Sequence, residues 1–209
     1  MGDGGFPIAK LATLMFMMMG PIGLIPAFSG ATAATDATLR RSIAFRAFAY
    51  AALALSIAVG IGAGVLTAWG ASPAALVIAA GLLLGLASLG NLLGARRAAP
   101  AAVGGAPPPS LGIALSPIAF PGIVTPHGVG VLIVFVAYAP TASVKLSILA
   151  VALGIVFLDL LAMLWADRLM RLVGVVPLTI LGAVFGVLQL ALGIEMIASG
   201  MSLLTGGGR

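Results

Sequence analysis

The sequence contains no cysteine and a single histidine. Without cysteine there is no disulfide, no thiolate and no cysteine-based metal site. With a lone histidine, a cluster of imidazoles around a metal is impossible. Charge is scarce as well: 7% of the residues are charged, against about 25% in an ordinary soluble domain. That leaves no polar shell to cover a globule in water, so most of the chain must have lipid as its solvent. Ten basic residues outnumber five acidic ones, for a net charge of +5. They are scattered over loops with few aromatics among them, which is not the basic stripe of a nucleic-acid binder. There is no His-Glu-x-x-His, no second histidine and no obviously paired membrane carboxylates, so the chain does not read as an enzyme and no cofactor is expected.

Apolar length is what the chain has in abundance. It is 62% hydrophobic with a mean hydropathy of +1.26. A spanning helix needs about 20 apolar residues, and six stretches qualify, near 7–31, 42–69, 73–94, 111–138, 142–166 and 174–204. The expected fold is therefore an all-α polytopic membrane protein of six transmembrane helices. Residues 95–110, with Arg96, Arg97 and Pro107-Pro108-Pro109, form the only real linker and read as a mobile loop. It divides the chain into 1–94, the linker 95–110, and 111–209. The start, Lys10 followed by Leu11 to Met19, only faintly resembles a signal peptide: Asp3 precedes it and the run leads into Pro21-Ile22-Gly23-Leu24-Ile25-Pro26. We expect it to be retained.

Two of the six stretches are interrupted. Met19-Gly20-Pro21-Ile22-Gly23-Leu24-Ile25-Pro26 breaks the first, and Phe120-Pro121-Gly122-Ile123-Val124-Thr125-Pro126-His127 breaks the fourth, after Pro117. Proline removes a backbone donor and clashes with the carbonyl four residues back, and it pushes the preceding residue out of the α region. In lipid such a break is tolerated only where protein or a wet cavity receives the freed polar groups. Elsewhere the punctuation is that of helix ends. Thr35 or Asp36 is placed to cap the second span; Ser72 caps the third, with Pro73 in its first turn. Gly60, Gly62 and Gly64 flex the second span or admit a neighbour. Asp167-Arg168-Leu169-Met170-Arg171 reads as a basic turn before Gly174-Val175-Val176-Pro177 opens the last span.

The two halves echo each other. Pro21 and Pro26 answer Pro121 and Pro126, Gly70-x-x-Pro73 answers Gly174-x-x-Pro177, and Gly81-x-x-x-Gly85 answers Gly182-x-x-x-Gly186. This pattern suggests two three-span repeats, the second necessarily inverted, with paired breaks that mark a transporter binding site. The small-xxx-small pairs suit close helix packing within one chain or between chains of a homo-oligomer. Arg40, Arg41, Arg46, Arg96, Arg97, Arg168 and Arg171 lie on or beside loops 1–2, 3–4 and 5–6, whereas Lys10, Lys145 and Arg209 lie on the other side. The positive-inside rule then puts the arginine-rich loops in the cytoplasm and both termini outside. Trp69, Tyr138 and Trp165 fall near span ends, as interfacial aromatics should.

Ile113-Ala114-Leu115-Ser116-Pro117-Ile118-Ala119-Phe120-Pro121 followed by Thr125-Pro126-His127, together with Gly20-Pro21-Ile22-Gly23, Met170-Arg171-Leu172-Val173-Gly174 and Gly193-Ile194-Glu195-Met196-Ile197-x-x-Gly200, resembles the MarC family. These are six-span integral membrane proteins that include the SnatA-type neutral amino-acid transporters. The resemblance runs through nearly the whole chain. It departs from the family pattern at Gly20, where relatives often carry Asp or Asn, at His127, which replaces a glycine, and at Glu195, where relatives can have Gln. It implies a secondary transporter in the cytoplasmic (inner) membrane of a prokaryote, moving a small neutral amino acid of the glycine or alanine class, coupled to protons or sodium. An uncoupled small-solute channel and a non-transporting scaffold of the same fold are the competing readings.

The expected substrate site is Gly20, Pro21, Gly23, Pro26, Pro121, Gly122, Thr125, Pro126 and His127. The N-terminus of a broken helix attracts a carboxylate, and the carbonyls ending the preceding half suit an ammonium or a cation. The alternative is that these prolines only kink packed helices. Coupling candidates are His127, Asp159 and Glu195. His127 is suited to carry a proton or to satisfy a freed carbonyl. Asp159, inside the fifth span, asks for a reason, either a proton relay or a bond to broken backbone. Glu195 lines an outer vestibule or is structural. Arg46 snorkels, pairs with Asp36, or meets the substrate carboxylate. Ser116 and Thr125 contact substrate or bond a carbonyl within the helix.

Overall fold

The computed structural model describes residues 8–94 and 110–206, and all regular structure within them is helical. Eight helices follow in order: α1 Ile8–Met19, α2 Pro21–Ala31, α3 Ala37–Ala68, α4 Pro73–Gly94, α5 Pro126–Ala137, α6 Ala142–Leu164, α7 Ala166–Val173 and α8 Val175–Leu204. Before α5 come a single tight turn, Leu111–Ala114, and an irregular coil, Leu115–Ile123. Five stretches are long and apolar enough to cross a membrane, α1 and α2 counting as one; the coil with α5 makes a sixth if it is taken as one span bent by 60°. The linker expected at 95–110 lies almost wholly outside the described residues, as do Asp3 and Arg209.

Helix ends follow local chemistry. Asp36, not Thr35, caps α3: its carboxylate accepts from the Leu39 amide at 3.0 Å. Thr35 instead donates its hydroxyl to the Thr32 carbonyl at 2.7 Å. With that cap in place α3 starts at Ala37, earlier than its apolar run. The Ser72 hydroxyl accepts from the Ala75 amide at 3.1 Å, ahead of Pro73 at the start of α4. Thr141 caps α6 by accepting from Val144. Trp69, Tyr138 and Trp165 each occupy the residue that closes a helix, and all three are exposed.

Two expectations are corrected. The basic turn at Asp167–Arg171 is the helix α7. It carries Asp167 in its first turn and Arg171 in its last, which suits the helix dipole at both ends. Gly174, at φ +78°, then reverses the chain into α8. Pro26 does not break its span; it lies inside α2. One proline deletes one intrahelical bond, here the one the Ile22 carbonyl would have accepted, and flanking turns can hold the helix through that loss.

Packing places small residues where backbones meet. Lipid is as apolar as Leu, so contact quality rather than expulsion from water joins these helices. Helix α4 lies antiparallel along α8: Gly200 meets Ala74 and Ile78, Gly193 meets Gly81 and Gly85, and Gly186 meets Leu92. Gly81 and Gly85 therefore serve packing within the chain, whereas Gly182 faces open space. Of the three glycines in α3 only Gly62 is needed for a neighbour, since a Cβ there would sit 2.7 Å from the Ile133 side chain of α5. Around this frame α1, α2, α3, α5 and α6 enclose a core that includes Leu11, Met15, Phe28, Ile43, Leu55, Leu132 and Ile148.

The candidate functional site at two broken helices

The first break is confined to Gly20. Its dihedrals, φ −80° and ψ 171°, are extended, and Pro21 opens α2 directly after it. The Gly20 amide still bonds the Phe16 carbonyl at 2.9 Å. A side chain at Gly20 would run into that same carbonyl oxygen, so this backbone requires glycine there. The next carbonyl, of Met17, would be served by the amide of residue 21, which is proline and has none. Gln189 of α8 supplies the missing donor, its Nε2 reaching the Met17 carbonyl at 2.5 Å. His127 of α5 lies buried beside the Met18 backbone.

Gln189 thus closes the Met17 carbonyl, and His127 lies beside Met18. The expectation that these carbonyls stand bare for a substrate ammonium is corrected for Met17 in this conformation. Gln189 was not singled out in the sequence. Its signal was there: an amide side chain in a 30-residue apolar helix needs a polar partner.

The second break is broader. Dihedrals leave the helix at Ser116, Phe120 and Pro121, and the Val124 amide reaches back five residues to the Ala119 carbonyl at 2.8 Å. A Cβ on Gly122 would lie 2.8 Å from the Pro117 carbonyl oxygen, which explains glycine at that bend. Thr125 then caps α5, its hydroxyl oxygen accepting from the Gly128 amide at 3.2 Å, and Pro126 fills the first turn. The local alternative expected for Thr125 is a bond to a helix carbonyl; its hydroxyl oxygen accepts from an amide instead.

The structure brings the two breaks together. Met19, the last residue of α1, packs on Gly128, where an added Cβ would lie 2.7 Å from its Cγ and Sδ. Leu24 of α2 approaches Gly122. The two half-helices open alike, Gly20-Pro21-Ile22-Gly23 and Thr125-Pro126-His127-Gly128, so Pro21 matches Pro126 in role and Pro121 lies in the coil before it. They differ in one respect. Helix α5 has a side-chain cap, while α2 has none, Gly20 lacking a side chain to offer. Pro21 has no amide hydrogen, so the free donors of α2 begin at Ile22. Gly23 in that turn is exposed, with nothing within 4 Å of where a Cβ would be.

The remaining candidates lie apart. Pro26 is within α2, away from the break. Glu195 is exposed on α8. Arg46 is exposed on α3 and makes no ion pair among the described residues; Asp36 is engaged as a cap. The ion pair that does form joins Arg40 of α3 to Asp167 of α7, with Arg40 Nη2 donating to the Thr32 carbonyl at 3.0 Å. An open groove of about 540 Å³ on α3 is lined by Ala37, Thr38, Arg41, Ser42, Phe45 and Arg46, none of which belongs to either break. Asp159 is wholly buried, and neither carboxyl oxygen has a hydrogen-bond partner among the described residues.

A family model described as MarC family integral membrane protein matches residues 7–205. No curated protein and no solved structure matches the chain. That match spans both broken helices and every apolar span between them, and the chain belongs to the MarC family of integral membrane proteins.

Proposed function

We propose that this protein is a secondary transporter that moves a small neutral amino acid across the cytoplasmic membrane by alternating access. The observation that carries the reading is the uncapped start of α2, set against the second break. Its free amides and the positive end of the helix dipole suit a carboxylate. Gly20 and Gly23 add no side chain at the approach, which leaves room for a small ligand such as glycine or alanine. The ammonium would exchange with Gln189 at the carbonyl of Met17. That exchange couples binding to release of the contact between the two halves.

An inverted repeat supports the same reading. The half-helices share Pro-x-Gly, and caps Asp36 and Thr141 follow them at matching distance. Ser88 and Gln189, 101 positions apart, touch each other, the Ser88 hydroxyl lying 3.5 Å from Gln189 Oε1. The same offset converts the Gly85–Gly193 contact into the Leu92–Gly186 contact. Those are the relations expected about a twofold axis in the membrane plane. In this reading the Arg40–Asp167 side faces the cytoplasm and both termini face outward.

The test is uptake of labelled glycine and alanine into proteoliposomes with and without proton or sodium gradients. Saturable, gradient-driven accumulation is expected. Absence of flux for every small zwitterion refutes the proposal, and non-saturating flux indifferent to gradients supports a channel instead.

A further inference from the structure

Among the described residues, Asp159 is a fully buried carboxylic acid whose burial the site does not explain. It lies five residues before the end of α6, about 8 Å inside it by helical rise. Its exposure is 0%, and neither Oδ1 nor Oδ2 has a hydrogen-bond partner among the described residues. An ionised carboxylate in such a place, without donors or a counter-ion, costs many kcal/mol, and the group responds by becoming neutral.

Among the described side chains, no cation offers relief. Helices α1, α2, α3, α5 and α7 pack against α6. On α3, Arg40 is engaged with Asp167 and Thr32, while Arg41, Arg46 and Tyr50 are exposed. On α5, His127 lies against the Met18 backbone. On α7, Asp167, Arg168 and Arg171 are exposed, as is Lys145 toward the other end of α6. The described side chains of α1 and α2 include no ionisable group. Sodium would need a shell of oxygen donors, and the buried neighbours on the same helix, Ile155, Val156, Leu160 and Met163, have no side-chain oxygen.

We infer that Asp159 is the proton carrier of this protein: in the closed arrangement it is a neutral carboxylic acid, and it discharges only when the bundle opens and water reaches α6. On opening, the carboxyl O–H bond breaks and the proton passes to water, leaving a hydrated carboxylate. On the opposite side the carboxylate takes a proton from hydronium before the bundle can close over it. Closure without a proton would bury a bare charge, so transport and proton movement are tied together. This assignment rests on the transporter reading and chooses among His127, Asp159 and Glu195. His127 lies against the Met18 backbone at the first break, and Glu195 is exposed.

The experiment is infrared spectroscopy of the purified protein in lipid bilayers at neutral pH. The wild type should show the C=O stretching band of a protonated carboxyl group. Asp159→Asn should remove it, Asp159→Glu should keep it at a displaced frequency, and Asp36→Asn, Asp167→Asn and Glu195→Gln should leave it in place. Sodium should not change it. Absence of the band in the wild type overturns the inference, as does its persistence in Asp159→Asn or its loss on adding sodium. In proteoliposomes Asp159→Asn should retain amino-acid exchange at equal pH and lose accumulation driven by a proton gradient; intact accumulation overturns the inference as well. A wild type that shows the band yet moves no amino acid refutes the transporter reading and leaves the protonation of Asp159 standing.

Discussion

Gly23 and Gly128 hold the same place in two half-helices that open alike, and the surroundings give their replacement opposite signs. At Gly128 an added Cβ lies 2.7 Å from both Met19 Cγ and Sδ and 2.7 Å from the Thr125 hydroxyl oxygen. Met19 is itself buried, at 2% exposure, so its thioether has little room to withdraw. Overfilling a packed contact costs about 1–3 kcal/mol. Displacing the Thr125 cap adds about 1 kcal/mol. The better helix propensity of alanine returns about 1 kcal/mol. Gly128→Ala should therefore destabilise the fold by about 1–3 kcal/mol on these terms. At Gly23 nothing lies within 4 Å, and Gly23→Ala should be neutral or stabilising by about 0.4–1 kcal/mol, by restricting the unfolded chain. The assay is apparent melting temperature in one detergent at one scan rate, because unfolding of such proteins is often irreversible. The two variants should move the transition in opposite directions from wild type. If Gly128→Ala melts with Gly23→Ala at or above the wild-type temperature, the breaks do not meet as described.

Three further outcomes follow from the same contacts. Gln189→Leu should leave the Met17 carbonyl without its donor and cost about 1 kcal/mol, read as a melting shift. Gly193→Ala should cost about 1–3 kcal/mol, because its Cβ would meet the Gly81 carbonyl oxygen at 2.8 Å and the Gly85 amide nitrogen at 3.0 Å, backbone atoms that cannot rotate away, whereas Gly182→Ala in open space should be silent. Asp167→Asn should cost less than about 1 kcal/mol, the pair being partly exposed, and Arg40→Ala should cost more in chemical denaturation, since it also removes the donor to Thr32.

Much of the architecture was legible because it rests on local chemistry. Apolar length set the spans, Ser72-Pro73 announced the start of α4, and the two proline clusters marked the broken helices. What could not be read was how each proline would act. Proline starts a helix at its first turn and interrupts one farther in, and the choice depends on partners distant in sequence. Pro21 starts α2 because Gly20 adopts an extended conformation and Gln189 satisfies the carbonyl that Pro21 leaves free. Pro26 stays inside the same helix. That is why Pro21 corresponds to Pro126, against the spacing that pairs it with Pro121. The amphipathic α7 was hidden by its brevity and its cluster of charges. Asp159 was visible as an anomaly, but its lack of partners depends on the packing of other helices around α6.

The most direct test of the central claim uses the absence of cysteine as a clean background. Gly23→Cys places one thiol at the uncapped start of α2, and its rate of modification by a small water-soluble thiol reagent is measured in membranes. Alanine and glycine should slow the reaction in a saturable way, whereas acetate and ethylamine, each carrying half of the zwitterion's charge, should not. Modification at the same rate with and without either amino acid would contradict a zwitterion site between the two broken helices.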